Sequence, residues 1–198
     1  MDIEAAALTY NQQLSPEGRL WLNNRGITDA SIARFRLGEV LEPFAAHKRF
    51  RGSISIPYLN PDGSVRSLRF RYLHGSLQKY DSVAGFKSHL YNVAATAGSD
   101  VFICEGEFDS IILSQLGLDS TGVSGANVFK SEWKYLFANC ERVSIVFDGD
   151  DAGKAGAGRI ASMLGLLVEN LRVIHLPPGA DITDIYLTSP DELKERVS

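Results

Sequence analysis

The spacing of apolar positions changes character twice along the 198 residues. SPEGRLWLNNRG (15–26) has Ser15 before Pro16, then apolar Leu20, Trp21 and Leu22, then Gly26, which together predict a capped and terminated helix. TDASIARFRLG (28–38) repeats the scheme, with Thr28 as cap, Ile32, Ala33 and Phe35 facing inward and Gly38 closing the helix. The period then drops to two. SISIPYLNPDGSVRSLRFRYL (53–73) alternates around NPDG (60–63), which predicts a β-hairpin whose second strand sets Val65, Ser67, Arg69 and Arg71 on one basic face.

From residue 101 onward, short apolar runs alternate with helical spacing. VFICE (101–105), STGV (120–123), RVSIVF (142–147) and LRVIHL (171–176) predict four strands. EFDSIILSQLG (107–117), KSEWKYLFANC (130–140) and DAGKAGAGRIASMLGLL (151–167) predict the helices between them, and ITDIYL and SPDELKERV follow the last strand. Strands that alternate with helices predict a parallel sheet covered by helices. The small, polar stretch NVAATAGSD (92–100) is the predicted boundary, separating an α+β subdomain at 1–98 from an α/β domain at 99–198.

Charge sharpens that division. Residues 1–99 carry 12 Lys and Arg against 8 Asp and Glu, whereas residues 100–198 carry 8 against 16. Residues 47–87 hold Lys48, Arg49, Arg51, Arg66, Arg69, Arg71, Lys79 and Lys87 against only Asp62 and Asp81. A basic segment beside an acidic one fits a polyanion partner on one side and metal ions on the other, although two solvated faces of opposite sign would read alike. The hydrophobic share of 44% is ordinary for a soluble domain. No apolar run reaches membrane-spanning length and no signal-peptide pattern opens the chain, so a cytoplasmic protein is predicted. Cys104 and Cys140 lack metal-ligand spacing and read as core thiols. His47, His74, His89 and His175 show no ligand spacing either.

Ligands of parallel α/β sheets sit at the carboxyl ends of the strands, and that is where this chain concentrates acid. Glu105 ends the first strand and Asp109 follows one helical turn later; Asp148 ends the third, with Asp150 two residues on; Asp181 and Asp184 follow the fourth. Hard cations such as Mg2+ take oxygen ligands of this kind. The alternative for Asp148, Asp150 and Asp151 is helix capping and first-turn dipole pairing. GDDAGKAG is not a phosphate loop, because Ala155 stands where a Ser or Thr would bind the cation, and its glycines at 153, 156 and 158 read as close helix packing. GVSGAN (122–127) could offer backbone N–H groups to an anion or be a plain loop.

EGEFD (105–109), DGDDAG (148–153) and DITD (181–184), each after an apolar strand, together resemble the Toprim domain of bacterial and phage primases, topoisomerases and some nucleases. LWLNNRGITDASIARFRLG resembles the start of the RNA-polymerase domain of bacterial-type primases, and IPYLNPDGSVRSLRFRYL, QKYDS and FKSHLYN its basic subdomain. The resemblance spans residues 14–187 and implies a mainly parallel Toprim sheet behind a smaller α+β basic subdomain. It implies DNA-templated synthesis of short RNA primers, with Mg2+ or Mn2+ as cofactor. Glu105 would serve as acid/base or metal-linked carboxylate, and Asp109, Asp148, Asp150, Asp181 and Asp184 would belong to the metal cluster. Arg69, Arg71, Lys79 and Lys87 would hold nucleotide phosphates or template. Single-stranded DNA and NTPs are the implied partners, with a replicative helicase and a zinc-binding domain supplied separately; the DITD spacing resembles phage primase-helicases. A Toprim-type metal-dependent nuclease and a non-catalytic nucleic-acid-binding replication module are the competing functional readings.

Overall fold

A computed structural model describes residues 2–73, 78–125 and 127–198, so His74 and Ala126 lie outside the described residues. The chain forms two compact units, Met1–Lys87 and Ser88–Ser198.

The first unit opens with a helix that the sequence pattern did not announce, α1 (Ile3–Gln12), capped by Asp2, whose carboxylate accepts from the Glu4 and Ala5 N–H groups. Three consecutive alanines conceal its period, yet Ala6, Ala7 and Tyr10 are buried. The helices α2 (Pro16–Asn23) and α3 (Asp29–Arg34) carry the expected caps, Ser15 and Thr28. Two details differ. Ala33 is exposed, and Gly38 does not end α3, which stops at Arg34 with Arg36 in the left-handed region at φ 53°. Gly38 instead begins β1 (Gly38–Glu39), where α1 passes so close that a Cβ would stand 2.2 Å from the Tyr10 carbonyl carbon.

After a 3-10 turn (Ala45–Phe50) come β2 (Ser53–Leu59), β3 (Val65–Tyr72) and β4 (Tyr80–Ser82), giving an antiparallel sheet in the order β1-β2-β3-β4. The NPDG turn closes as expected, with Gly63 at φ 84° and its N–H on the Asn60 carbonyl. One sheet face packs Leu68 and Phe70 with Ala6, Ala7, Tyr10, Val40 and Phe50, and the Phe50 and Phe70 rings stack 3.9 Å apart. The other face carries the expected arginines, but part of it is covered. Arg69 and Arg71 lie opposite Ile56 and Ile54 in the ladder, and Arg71 is only 9% exposed. His47 is buried and bonded to the Tyr10 hydroxyl, which is a structural role.

The second unit starts earlier than the 98/99 boundary. Leu90 enters its core and Tyr91 bridges Gly122, so residues 88–98 are stitched to it by packing and backbone pairing that their small, polar composition hides. Its elements are β5 (Asp100–Cys104), α4 (Glu107–Gln115), β6 (Asp119–Gly122), β7 (Arg142–Phe147), α5 (Asp151–Leu164), β8 (Asn170–His175), α6 (Ile182–Thr188) and α7 (Pro190–Val197). The stretch expected as a helix at 130–140 is a 3-10 helix, Ser131–Phe137, that buries Trp133 and Phe137. The four strands run parallel in the order β6-β5-β7-β8. Gly153 and Gly156 are buried, whereas Gly158 faces open space and does not serve helix packing. Cys104 and Cys140 are buried thiols. No helix among the described residues is long and apolar enough to cross a membrane.

Candidate metal centre

The strand order reverses between β5 and β7: the chain goes from β5 outward to β6, then returns to the far side of β5 for β7. Such a switch point leaves a crevice at the carboxyl ends of the two central strands. Glu105 leaves β5 and Asp148 leaves β7, from strands paired up to Cys104 and Val146. Asp109 follows on the first turn of α4.

The third acidic motif is drawn in by backbone contact. Gly149 N–H donates to the Ala180 carbonyl at 2.9 Å, and Gly179 N–H donates to the Gly149 carbonyl at 3.3 Å. This pairing sets the loop after β7 against the loop after β8 and leaves no room at Gly149, where a Cβ would fall 1.9 Å from the Pro177 carbonyl oxygen. Gly149→Ala should therefore push the two loops apart, costing about 2 kcal/mol as an overpacking change. Thermal unfolding and Mn2+ calorimetry on this variant should show lower stability and weaker binding together.

The electrostatics show how crowded the crevice is. The Asp148 carboxyl is pushed up to about 7, first by burial and then by the negative charges of Glu105, Asp181, Asp150 and Asp184. Asp109 is held well above the usual carboxylate range, first by burial and then by Asp148 and Asp181, with Glu105 adding to them and the Thr183 hydroxyl opposing. Thr183 donates to Asp109 Oδ1 at 3.4 Å and so joins the third motif to the first. Burial and repulsion both disfavour charge here, and a cation in the crevice would oppose both.

The capping alternative also holds, for specific oxygens. Asp150 caps α5, its Oδ1 accepting from Gly153 N–H at 2.7 Å. Asp181 and Asp184 form a capping box at α6, with Asp184 N–H on Asp181 Oδ1 at 2.7 Å and Asp181 N–H on Asp184 Oδ2 at 3.3 Å. Caps fix the direction of each carboxylate while a second oxygen remains on each. Among the described residues no three Asp, Glu, His or Cys side chains are gathered closely enough to hold an ion by themselves. Mg2+ does not require three protein donors, because it usually keeps several waters and takes one or two carboxylates plus substrate phosphate. The donors fit such a group: all are hard carboxylate oxygens, and Asp148 is destabilised as an anion until a cation joins it.

Three backbone N–H groups of the GVSGAN loop are already committed within the protein. Gly122 N–H donates to the Tyr91 carbonyl, Val123 N–H to Cys104 and Gly125 N–H to Glu105. The proposed phosphate-binding residues lie in the first unit. Lys79 and Lys87 are exposed, while Arg69 and Arg71 stack over the Tyr80 ring at 4.4 and 4.7 Å. Sequence reasoning passed over Thr183, whose signal was a lone hydroxyl inside an acidic motif, and Glu107, buried in the first turn of α4.

A parallel sheet of this order, with acid at three strand ends, defines a Toprim-type domain, and a family model described as Toprim-like matches residues 102–186. The Gene 57 protein of Mycobacterium phage D29 is 34% identical over 155 residues, covering 75% of this chain and 99% of that protein. The DNA primase of Clostridium acetobutylicum is 26% identical over 220 residues, covering 91% of this chain and 37% of that protein. The crystal structure of the Aquifex aeolicus primase, comprising zinc-binding and RNA polymerase domains, aligns with a TM-score of 0.82 at 20% identity over 99% of this chain and 59% of that one. The DnaG primase catalytic domain bound to single-stranded DNA aligns with a TM-score of 0.80 at 21% identity over 98% and 78%. The chain belongs to the family of the phage Gene 57 protein and carries a Toprim-like domain, with DNA primases among its more distant relatives. It spans little more than a third of the Clostridium primase, at 37% of its length.

Proposed function

We propose that this chain is the catalytic core of a DNA primase, making short RNA primers on single-stranded DNA by metal-dependent nucleotidyl transfer. The observation that carries the reading is Asp148, a carboxyl pushed up to about 7 at a switch point shared with Glu105, Asp181, Asp150 and Asp184. A cation would favour full ionisation of such a site, and stabilising the charge of phosphoryl transfer is one use of such an ion.

Asp148 and Asp150 would hold a divalent ion, Mg2+ or Mn2+, with Asp109, Asp181 and Asp184 around it. When bound, the cation would neutralise charge developing on the α-phosphate and on the departing pyrophosphate. Glu105, at the end of β5, would accept the proton of the attacking 3′-hydroxyl or help to seat the ion. The caps at α5 and α6 would keep the Asp150 and Asp181 carboxylates aimed without a reorganisation step. Arg69, Arg71, Lys79 and Lys87 would hold the triphosphate or the template backbone. The metal-binding half would thus be the second unit and the nucleotide- and template-binding half the first. A helicase and a zinc-binding domain would be its working partners, the latter in keeping with the Aquifex primase.

Incubating the chain with single-stranded DNA, labelled NTPs and Mg2+ or Mn2+ tests this directly. Short RNA products that vanish in an Asp148→Ala/Asp150→Ala control are the expected result. Cleavage of the DNA without synthesis would replace the polymerase reading by the nuclease one.

A further inference from the structure

Thr183 reaches out of the third acidic motif to the first. It is 9% exposed, lies in the first turn of α6, and its hydroxyl donates to Asp109 Oδ1 at 3.4 Å. Its neighbours in that turn are engaged with each other, because Asp181 and Asp184 close the α6 capping box. The Thr183 hydroxyl stands outside the box and faces α4.

Asp109 is confined from two sides. Its Oδ1 takes the Thr183 hydroxyl, and its Oδ2 lies over Gly106, where a Cβ would stand 2.8 Å from that oxygen. A side chain at 106 would push the carboxylate out of its place. At 3.4 Å the hydroxyl contact is long, so it supplies direction more than strength. Burial first, and then the charges of Asp148, Asp181 and Glu105, disfavour the Asp109 anion, and the Thr183 hydroxyl opposes them. A hydroxyl does this without bringing a charge, so it does not compete with a cation for the crevice.

The contact belongs to a longer seam. Ile182 and Ile185 bury the inner side of α6, and Gln115 at the end of α4 donates to the Tyr186 hydroxyl at 3.5 Å. Thr183 and Tyr186 are three residues apart on one side of α6, and they meet the first and last turns of α4. The placing of α6 on α4 therefore sets where the Thr183 hydroxyl meets Asp109.

We infer that Thr183 is a positioning residue, whose hydroxyl aims the Asp109 carboxylate at the crevice and ties cation binding there to the docking of α6 on α4. The inference rests on the metal-centre reading given above. It adds that the third motif acts on the first through a neutral hydroxyl as well as through charge, in the way that groups around a metal ligand fix its orientation.

The test is calorimetry with Mn2+ at pH 8 on wild type, Thr183→Val and Thr183→Ser, with a melting curve in EDTA for each to separate lost affinity from lost fold. Valine keeps the shape and removes the hydroxyl, whereas serine keeps the hydroxyl. Thr183→Val should weaken Mn2+ binding about 10-fold, while Thr183→Ser stays within about threefold of wild type. Gly106→Ala displaces the same carboxylate from its other side and should weaken binding too, with little further loss when combined with Thr183→Val. In primer synthesis Thr183→Val should raise the Mn2+ concentration for half-maximal rate more than it raises KM for NTP. Mn2+ binding unchanged in Thr183→Val, or lost equally in Thr183→Val and Thr183→Ser, overturns the inference, as do losses that multiply in the combined variant. Wild type that binds no Mn2+ removes the metal-centre reading and this inference with it. Thr183-dependent Mn2+ binding in a protein that makes no primers leaves the inference standing and removes the primase reading alone.

Discussion

Replacing Asp148 by asparagine is expected to stabilise the metal-free protein while abolishing its activity. The two effects share one cause. In the folded chain the Asp148 carboxyl lies at about 7, raised from 3.8 by burial and by its acidic neighbours, so above neutral pH the folded state carries a charge it disfavours. A shift of that size corresponds to about 4 kcal/mol at full strength. Asp148 is only half-buried, and solvent screening reduces the usable part to about 1–2 kcal/mol. Asparagine keeps the shape and drops the charge. Melting in EDTA at pH 8 should therefore rise by several degrees, about 3–6 °C, relative to wild type. Primer synthesis with Mg2+ should fall by about 10^3-fold or more, because the site would lose several kcal/mol of charge stabilisation in the transition state. A variant that melts lower than wild type in EDTA would show that Asp148 supports the apo fold, contrary to the repulsion argued here.

The sequence made the acidic strand ends legible because two local signals coincide there. A buried parallel strand needs an apolar run, and Glu105, Asp148 and Asp181 each follow one closely enough for topology to do the rest. The Gly149 contact was not legible: D-G-D reads as a turn, and only the Pro177 carbonyl lying against it reveals that the glycine joins two motifs. Long-range contact is also why the unit boundary came out late, since Tyr91 is committed to the second unit through Gly122, 31 residues further on in the chain. Arg71 misled for a different reason. Alternation places it on a face but does not say what covers that face, and here the cover is aromatic. The helix α1 escaped notice because its apolar side is built largely from alanine, which carries little periodic contrast.

The second large effect is a metal-dependent gain in stability that grows with pH. For a carboxyl whose folded value lies above its unfolded one, the stabilising contribution is complete below about pH 4 and is lost as pH rises through about 7. Asp109 is displaced in the same direction, so it adds to the trend. The apo protein should thus lose stability from these groups across pH 4–7, seen most cleanly as the difference between wild type and Asp148→Asn. A cation competes with the proton for the same oxygens. Below pH 5 the proton holds Asp148, and Mn2+ or Mg2+ should change the melting temperature little. At pH 8 the proton has gone, and a metal present at 100 times its Kd would add about 2.7 kcal/mol. Melting curves at pH 5 and pH 8, with EDTA and with saturating Mn2+, measure both limbs. A metal shift equally large at the two pH values would mean that the ion binds elsewhere. No shift at either would remove the cation from the crevice, leaving the carboxylates as helix caps alone.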